Sequence, residues 1–221
     1  GRIKQDDSSV PLPDGPWAYY RRYREGGEHP LFCRTPRDGG TEALIFDGDA
    51  EAEGYAYFKL AACEHSPDHR YLAYAVDTNG SEIFSLRVRD LDGGEDLPDA
   101  IENVSGGFEW ANDSCTLFYT ILDDNHRPCA VRRHQLGEAV GEDGEVYREA
   151  DPGFFVSIGK TESQRFLVID AHDHQTSEAW VLDADDLSGN WRLIAKRDIG
   201  HEYEISDWHG AFLIRTNDAG A

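Results

Sequence analysis

Two serines stand in glycine-containing runs of the kind that can hold a nucleophile. Ser105 lies in Asn103-Val104-Ser105-Gly106-Gly107, and Ser157 in Phe155-Val156-Ser157-Ile158-Gly159. A nucleophile elbow needs G-x-S-x-G on a strand-to-helix turn, with a glycine on each side so that backbones can approach closely. Both runs lack the first glycine and neither leads into a helical pattern, so both serines are read as structural. His172-Asp173-His174 is the most metal-like cluster. Two imidazoles at that spacing share an ion only if both project to one side of a strand. The turn residues around them favour a solvated loop instead. His201 and His209 have no spaced partner. Gly26-Gly27 and Gly93-Gly94 do not join a strand to a helix, so they read as turns and not as phosphate cradles. The D-x-D-x-D-G spacing of a calcium loop is missing. Cys33, Cys63, Cys115 and Cys129 contain no C-x-x-C pair, which argues against a zinc ribbon or a redox motif. They are read as free thiols of a reducing compartment. No catalytic residue, cofactor site or metal site is expected in this chain.

Glu64 and Glu109 are the exceptions, and the reason lies in an internal repeat. Short strand-like cores recur around Leu72, Leu117, Leu167 and Leu213, with steps of 45, 50 and 46 residues. A polar turn precedes each one: Ser66-Pro67-Asp68, Ala111-Asn112-Asp113, Thr161-Glu162-Ser163 and Asp207-Trp208-His209. Ser81-Glu82-Ile83-Phe84-Ser85-Leu86 returns 96 residues later as Ser177-Glu178-Ala179-Trp180-Val181-Leu182. Hairpin residues such as Asp77-Thr78-Asn79-Gly80 and Asp123-Asp124-Asn125-His126 tolerate the left-handed backbone of tight turns. One repeat holds four strands, predicted at 57–64, 70–76, 82–89 and 98–104. Ile83, Ser85 and Arg87 alternate with Phe84, Leu86 and Val88, a period of two.

Four strands in about 45 residues is the pattern of a β-propeller blade. Segments 17–24, 31–34 and 43–46 read as an earlier blade. The reading is therefore an all-β chain, a partial β-propeller of about four four-stranded blades. Residues 1–15 are expected to be an extended lead segment and 16–221 the propeller, cut within a blade. Glu64 and Glu109 occupy the same blade position, two residues before the polar turn, on the strand that lines a propeller's central channel. Carboxylates there would meet passing cationic groups.

Charge and hydropathy narrow the partners. Against 21 Lys and Arg stand 43 Asp and Glu, a net charge of −22. Nucleic-acid binding requires clustered cations to displace counterions, so it is disfavoured. No apolar run approaches the roughly 20 residues needed to cross a bilayer. The first residues lack the apolar core of a signal peptide, so a cytoplasmic location is expected. Unpaired sheet edges invite self-association.

Several runs carry a resemblance. They include Tyr19-Tyr20-Arg21-Arg22, Pro30-Leu31-Phe32-Cys33-Arg34, Ser66-Pro67-Asp68-His69-Arg70, Asn125-His126-Arg127-Pro128 and Phe154 through Thr161, together with Ile3 through Pro11. Over nearly its whole length the chain resembles the front end of the prolyl oligopeptidase family of serine peptidases, in its oligopeptidase B branch. That resemblance implies a seven-bladed propeller capping a C-terminal α/β-hydrolase domain, absent here, which carries a Ser-Asp-His triad. It also implies hydrolysis of short peptides after Arg or Lys, with the propeller excluding folded proteins. The expected partners are then that hydrolase domain and short cationic peptides. The alternative is a stand-alone propeller that serves as an interaction scaffold with no enzymatic role.

Overall fold

The computed structural model describes residues 7–218. They divide into two compact units: one runs up to Leu60 and takes in Thr78–Gly80, and the other holds the remainder. Ile3 to Asp6, part of the run compared above, lie outside the described residues.

In the first unit β1 (Leu12–Asp14), β2 (Trp17–Arg22), β3 (Leu31–Pro36) and β4 (Ala43–Asp47) form one antiparallel sheet in chain order. Leu12, Pro13 and Asp14 pair with Tyr19, Ala18 and Trp17. The end of the expected lead segment is thus a strand of this sheet. Leu31, Cys33, Ile45 and Phe46 are its buried apolar residues. The Phe32 and Phe46 rings meet edge to face at 5.9 Å, the geometry that aromatic quadrupoles prefer. A one-turn helix, α1 (Gly48–Glu51), follows, with the Asp47 side chain capping the Ala50 N–H.

The second unit opens with a seven-stranded antiparallel sheet made of β5 (Lys59–His65), β6 (Tyr71–Asp77), β7 (Phe84–Asp90), β8 (Asp96–Trp110), β9 (Thr116–Leu122), β10 (Pro128–Gln135) and β11 (Gly144–Arg148). A four-stranded sheet follows: β12 (Phe155–Lys160), β13 (Phe166–His172), β14 (Ser177–Asp183) and β15 (Arg192–Leu193). β16 (Tyr203–Trp208) and β17 (Ala211–Thr216) close the described chain as a hairpin. Phe84, Leu86 and Val88 of β7 are buried while Ser85 and Arg87 are half-buried, as period-two alternation requires.

The seven-stranded sheet is two blades fused through β8. Strands were expected to stop at 104 and restart before Glu109; the chain instead continues unbroken. Its first half pairs with β7, up to Phe84 opposite Val104. Its second half pairs with β9, through Phe108–Tyr119 and Trp110–Leu117. The register slips between Val104 and Phe108, where Asn103 and Gly106 both have positive φ, 62° and 95°. A bulge of this kind bends a strand without ending it. Gly106 is required there: a Cβ would come 2.7 Å from the Ala61 Cβ and 3.1 Å from Phe84.

Counting each half of β8 with its own neighbours, the described residues hold four four-stranded blades and the hairpin of another. Two apolar clusters join successive blades of the second unit. Leu86, Val88, Ile101, Trp110, Leu117 and Tyr119 belong to one. Phe118, Val131, Val156, Leu167, Ile169 and Leu182 belong to the other. The polar turns repeat as read: His69, Ser114 and Gln164 each take positive φ. Each turn is closed by a backbone bond, from Ser66, Ala111 and Thr161 N–H to the carbonyls of Tyr71, Thr116 and Phe166. The fourth differs. Trp208 pairs directly with Ala211 around His209-Gly210, a two-residue hairpin.

Candidate functional site

Successive turns are tied to one another by side chains. The Asp68 N–H donates to Ser114 Oγ at 2.9 Å. Asn112 Nδ2 donates to the Gln164 carbonyl at 3.0 Å and to Asp185 Oδ1 at 2.9 Å. Ser163 Oγ donates to Asp207 Oδ2 at 2.7 Å. These bonds hold the first strands of neighbouring blades in order, and those strands carry Glu64, Glu109 and Lys160.

Glu109 lies on the half of β8 that pairs only with β9, opposite Phe118. Its Oε1 accepts the Trp110 N–H at 3.0 Å and stands 3.7 Å from Lys160 Nζ. The Lys160 side chain is 4% exposed and that of Glu109 26%. Lys160 Nζ also donates to Asn112 Oδ1 at 3.1 Å. Trp110 Nε1 donates to the Glu64 carbonyl at 3.1 Å, so the indole fixes the two glutamate-bearing strands together.

Glu64 is different in kind. Its carboxylate reaches solvent and has no hydrogen-bond or ion-pair partner among the described residues. The surrounding protein nevertheless displaces much of its water. That desolvation, with the Glu109 charge second, raises its carboxyl above the ordinary 4.5. Burial also raises Glu109, and the Lys160 ammonium and the Trp110 N–H only partly offset it. Two carboxyls held above their usual range beside one buried ammonium form a surface short of positive charge. It can attract a cation; it contains no nucleophile.

The glutamate position does not recur in every blade. Opposite Val168, the counterpart of Phe118, stands Gly159, and opposite Ile214 stands Ile205. The tighter last hairpin puts Glu204 one residue out of step, where it pairs with Arg215 at 2.7 Å in solvent. Lys160 was not singled out from the sequence. Its signal was an ammonium where the aligned blade has Trp110.

The remaining sequence candidates fall elsewhere. Ser105 Oγ is hydrogen-bonded to Thr120 Oγ1 inside the β8 bulge, and Ser157 is exposed opposite Asp170; neither is bonded to an imidazole. His172 ends β13 and meets Asp170 at 2.9 Å. Asp173 accepts the Gln175 and Thr176 N–H groups, and His174 is exposed in that turn. Cys33 and Cys63 are buried free thiols, and Cys115 and Cys129 are also free. A cleft of about 880 Å³ between β13–β14 and β16–β17 is lined by Asp170, Glu202 and Glu204 against Arg215.

A propeller with this repeat matches the family model described as prolyl oligopeptidase, N-terminal beta-propeller domain, over residues 1–221. The chain belongs to the prolyl oligopeptidase family. Within that family it is 33% identical to dipeptidyl aminopeptidase BI of Pseudoxanthomonas mexicana over 237 residues, covering 100% of this chain and 33% of the relative. Protease 2 of Moraxella lacunata is 29% identical, covering 98% of this chain and 33% of that one. The solved structure of oligopeptidase B from Leishmania major superposes with a TM-score of 0.92 at 28% identity, covering 99% of this chain and 32% of that chain. The chain thus spans about a third of the length of the prolyl oligopeptidase relatives it matches.

Proposed function

We propose that this chain is the front part of the substrate-gating propeller of a serine oligopeptidase that hydrolyses short peptides after Arg or Lys. The observation that carries the reading is the Glu64–Glu109 pair on neighbouring first strands, with Glu64 unneutralised. A rim of carboxylates concentrates cationic peptides by long-range attraction, and the net charge of −22 acts in the same direction. In this reading the chemistry belongs to a C-terminal α/β-hydrolase domain that the propeller packs against, and the blade ring excludes folded proteins by size. Four free thiols suit a reducing, cytoplasmic setting.

On its own the chain should self-associate. Trp208, Leu213 and Ile214 are at least half exposed on the β16–β17 hairpin, and β17 offers an unpaired edge. A second copy pairing along β17 would cover both; light scattering of a clean monomer at high concentration contradicts it.

The functional test compares this chain with its intact parent on fluorogenic peptides ending in Arg, Lys or an uncharged residue. The expected result is cleavage after Arg and Lys by the parent alone. Triad-type cleavage by the purified chain, or a parent that prefers uncharged residues, overturns the proposal.

A further inference from the structure

Away from the acidic rim, a second titratable cluster is sealed inside the second unit. His134 on β10 has no solvent exposure, and Asp99 and Asp143 have side chains 3% exposed. His134 Nε2 lies 3.0 Å from Asp99 Oδ1, and Nδ1 lies 2.8 Å from Asp143 Oδ1. Asp99 Oδ1 also accepts the Gly137 N–H at 2.6 Å. Asp143 Oδ2 accepts the buried Tyr119 hydroxyl at 2.7 Å. Asp99 belongs to the half of β8 that closes the second blade, whereas His134 and Asp143 belong to the third. Leu97, Leu136 and Val140 pack at the same seam, against the apolar cluster.

Hydrogen-bond accounting limits the protons. A neutral imidazole has one N–H and one lone pair. Both ring nitrogens here face carboxylate oxygens, and the other contacts of those carboxylates are with donors. With a neutral ring and both carboxyls ionised, one carboxylate would point at a lone pair in a dry seam, which is costly, so the cluster holds one proton beyond the ring's own N–H. An imidazolium supplies a donor to each. The charged and titratable groups around the ring are Asp99 from β8, Asp143 from the segment before β11, Tyr119 from β9 behind Asp143, and Arg132 on the ring's own strand, whose charge acts on Tyr119. Two carboxylates, one imidazolium and the Arg132 guanidinium balance; a neutral ring beside two ionised carboxylates leaves one negative charge buried without its counterion.

We propose that Asp99, His134 and Asp143 form a proton-holding clasp, a shared imidazolium that closes the seam between the second and third blades and loosens it when the proton leaves. An imidazolium held between two carboxylates in the folded chain loses both partners on unfolding, so the clasp adds stability only while the ring carries its second proton. That stability fades as rising pH removes the proton.

The test is nitrogen NMR of His134 in the 221-residue chain, combined with denaturation from pH 6 to pH 9 of the wild type, His134→Gln and Asp99→Asn. Two N–H groups at pH 7 are expected, with a wild-type advantage over His134→Gln that shrinks as the pH rises. Asp99→Asn should abolish the pH dependence and leave one bare ring nitrogen, because the Asn amide can donate to a neutral ring. A bare acceptor nitrogen in the wild type at pH 7 overturns the proposal, as does an advantage that stays flat with pH. The NMR measurement needs no variant, so a poorly folding substitution does not protect the idea.

Discussion

The Glu109 carboxylate and the Lys160 ammonium stand 3.7 Å apart, closer than bulk charges but beyond hydrogen-bond length. Lys160 also donates to Asn112, and the Glu109 charge is only partly answered. This separates the two glutamates. Glu109 supports a buried cation; Glu64 supports nothing within the described residues. Glu109→Gln should therefore change the stability at pH 7 by less than about 1 kcal/mol, since the burial that holds the Glu109 carboxyl above 4.5 offsets what the carboxylate gives to the buried ammonium. Chemical denaturation at pH 7 reads this directly.

Glu64→Gln removes a carboxylate that has no such counter-charge beside it. The folded chain holds the Glu64 proton more tightly than the unfolded chain does, for reasons of desolvation first and the Glu109 charge second. The stability that proton brings is full below the ordinary 4.5 and is lost as the pH rises through the folded-state value. At pH 7 the ionised carboxylate is a burden. The Tm of Glu64→Gln should match the wild type or exceed it by about 2 °C at most. A clear loss of Tm at pH 7 would mean that Glu64 has a structural partner.

Much of this was readable from residue types alone. The leucine-anchored repeat placed the second, third and fourth blades, because Leu72, Leu117 and Leu167 are each almost wholly buried in strands that a two-fold periodicity must expose or bury in turn. The polar turns were legible for the same reason that they form: Asp, Asn and Ser bond locally to backbone N–H groups. Continuity of β8 was not legible. Asn103 and Gly106 signal a break by propensity, and only tertiary packing against Ala61 and Phe84 turns the break into a bulge. Lys160 and the His134 clasp were also missed. Each depends on partners 35 or more residues away in at least one contact, Lys160 on Asn112 and His134 on Asp99, and such pairings leave no local pattern.

The bulge supplies a backbone prediction. Gly106→Ala adds a methyl group 2.7 Å from the Ala61 Cβ at a φ of 95°, which L-residues rarely adopt. Overpacking and backbone strain together should cost about 3 kcal/mol. Gly107→Ala, whose added Cβ would meet mainly the Thr120 hydroxyl at 3.1 Å, should cost distinctly less; denaturation of the pair measures the difference.

Asn112, in the turn of the third blade, is tied to the fourth blade at three points through its Nδ2 donor and Oδ1 acceptor. Asn112→Asp keeps the acceptor for Lys160 but points oxygen at the Gln164 carbonyl and at Asp185. It should cost about 2 kcal/mol. That loss should shrink at low pH, where the new carboxyl takes up a proton and can donate.

Arg197 clasps Glu149 at 2.5 Å while its guanidinium lies 3.7 Å from the centre of the Phe154 ring. Burial would raise the Glu149 carboxyl, but the Arg197 guanidinium, the Asp151 N–H and the Tyr147 hydroxyl outweigh it and hold it below 4.5. The stability from this group is present above 4.5 and is lost as the pH falls through the folded-state value. Arg197→Met should cost about 2 kcal/mol at pH 7 by taking the counter-charge from a carboxylate 6% exposed that keeps its Tyr147 and Asp151 hydrogen bonds, with the gap to wild type closing in acid.

The central claim is that the glutamate pair draws cationic peptides toward a catalytic domain. The most direct measurement is kcat/KM of the intact parent enzyme for length-matched cationic and neutral peptides, before and after Glu64→Gln with Glu109→Gln, at low and high salt. The account predicts a fall of about 3–10-fold for cationic peptides at low salt, little change for neutral ones, and convergence at high salt. Unchanged kinetics on cationic peptides at low salt would contradict it.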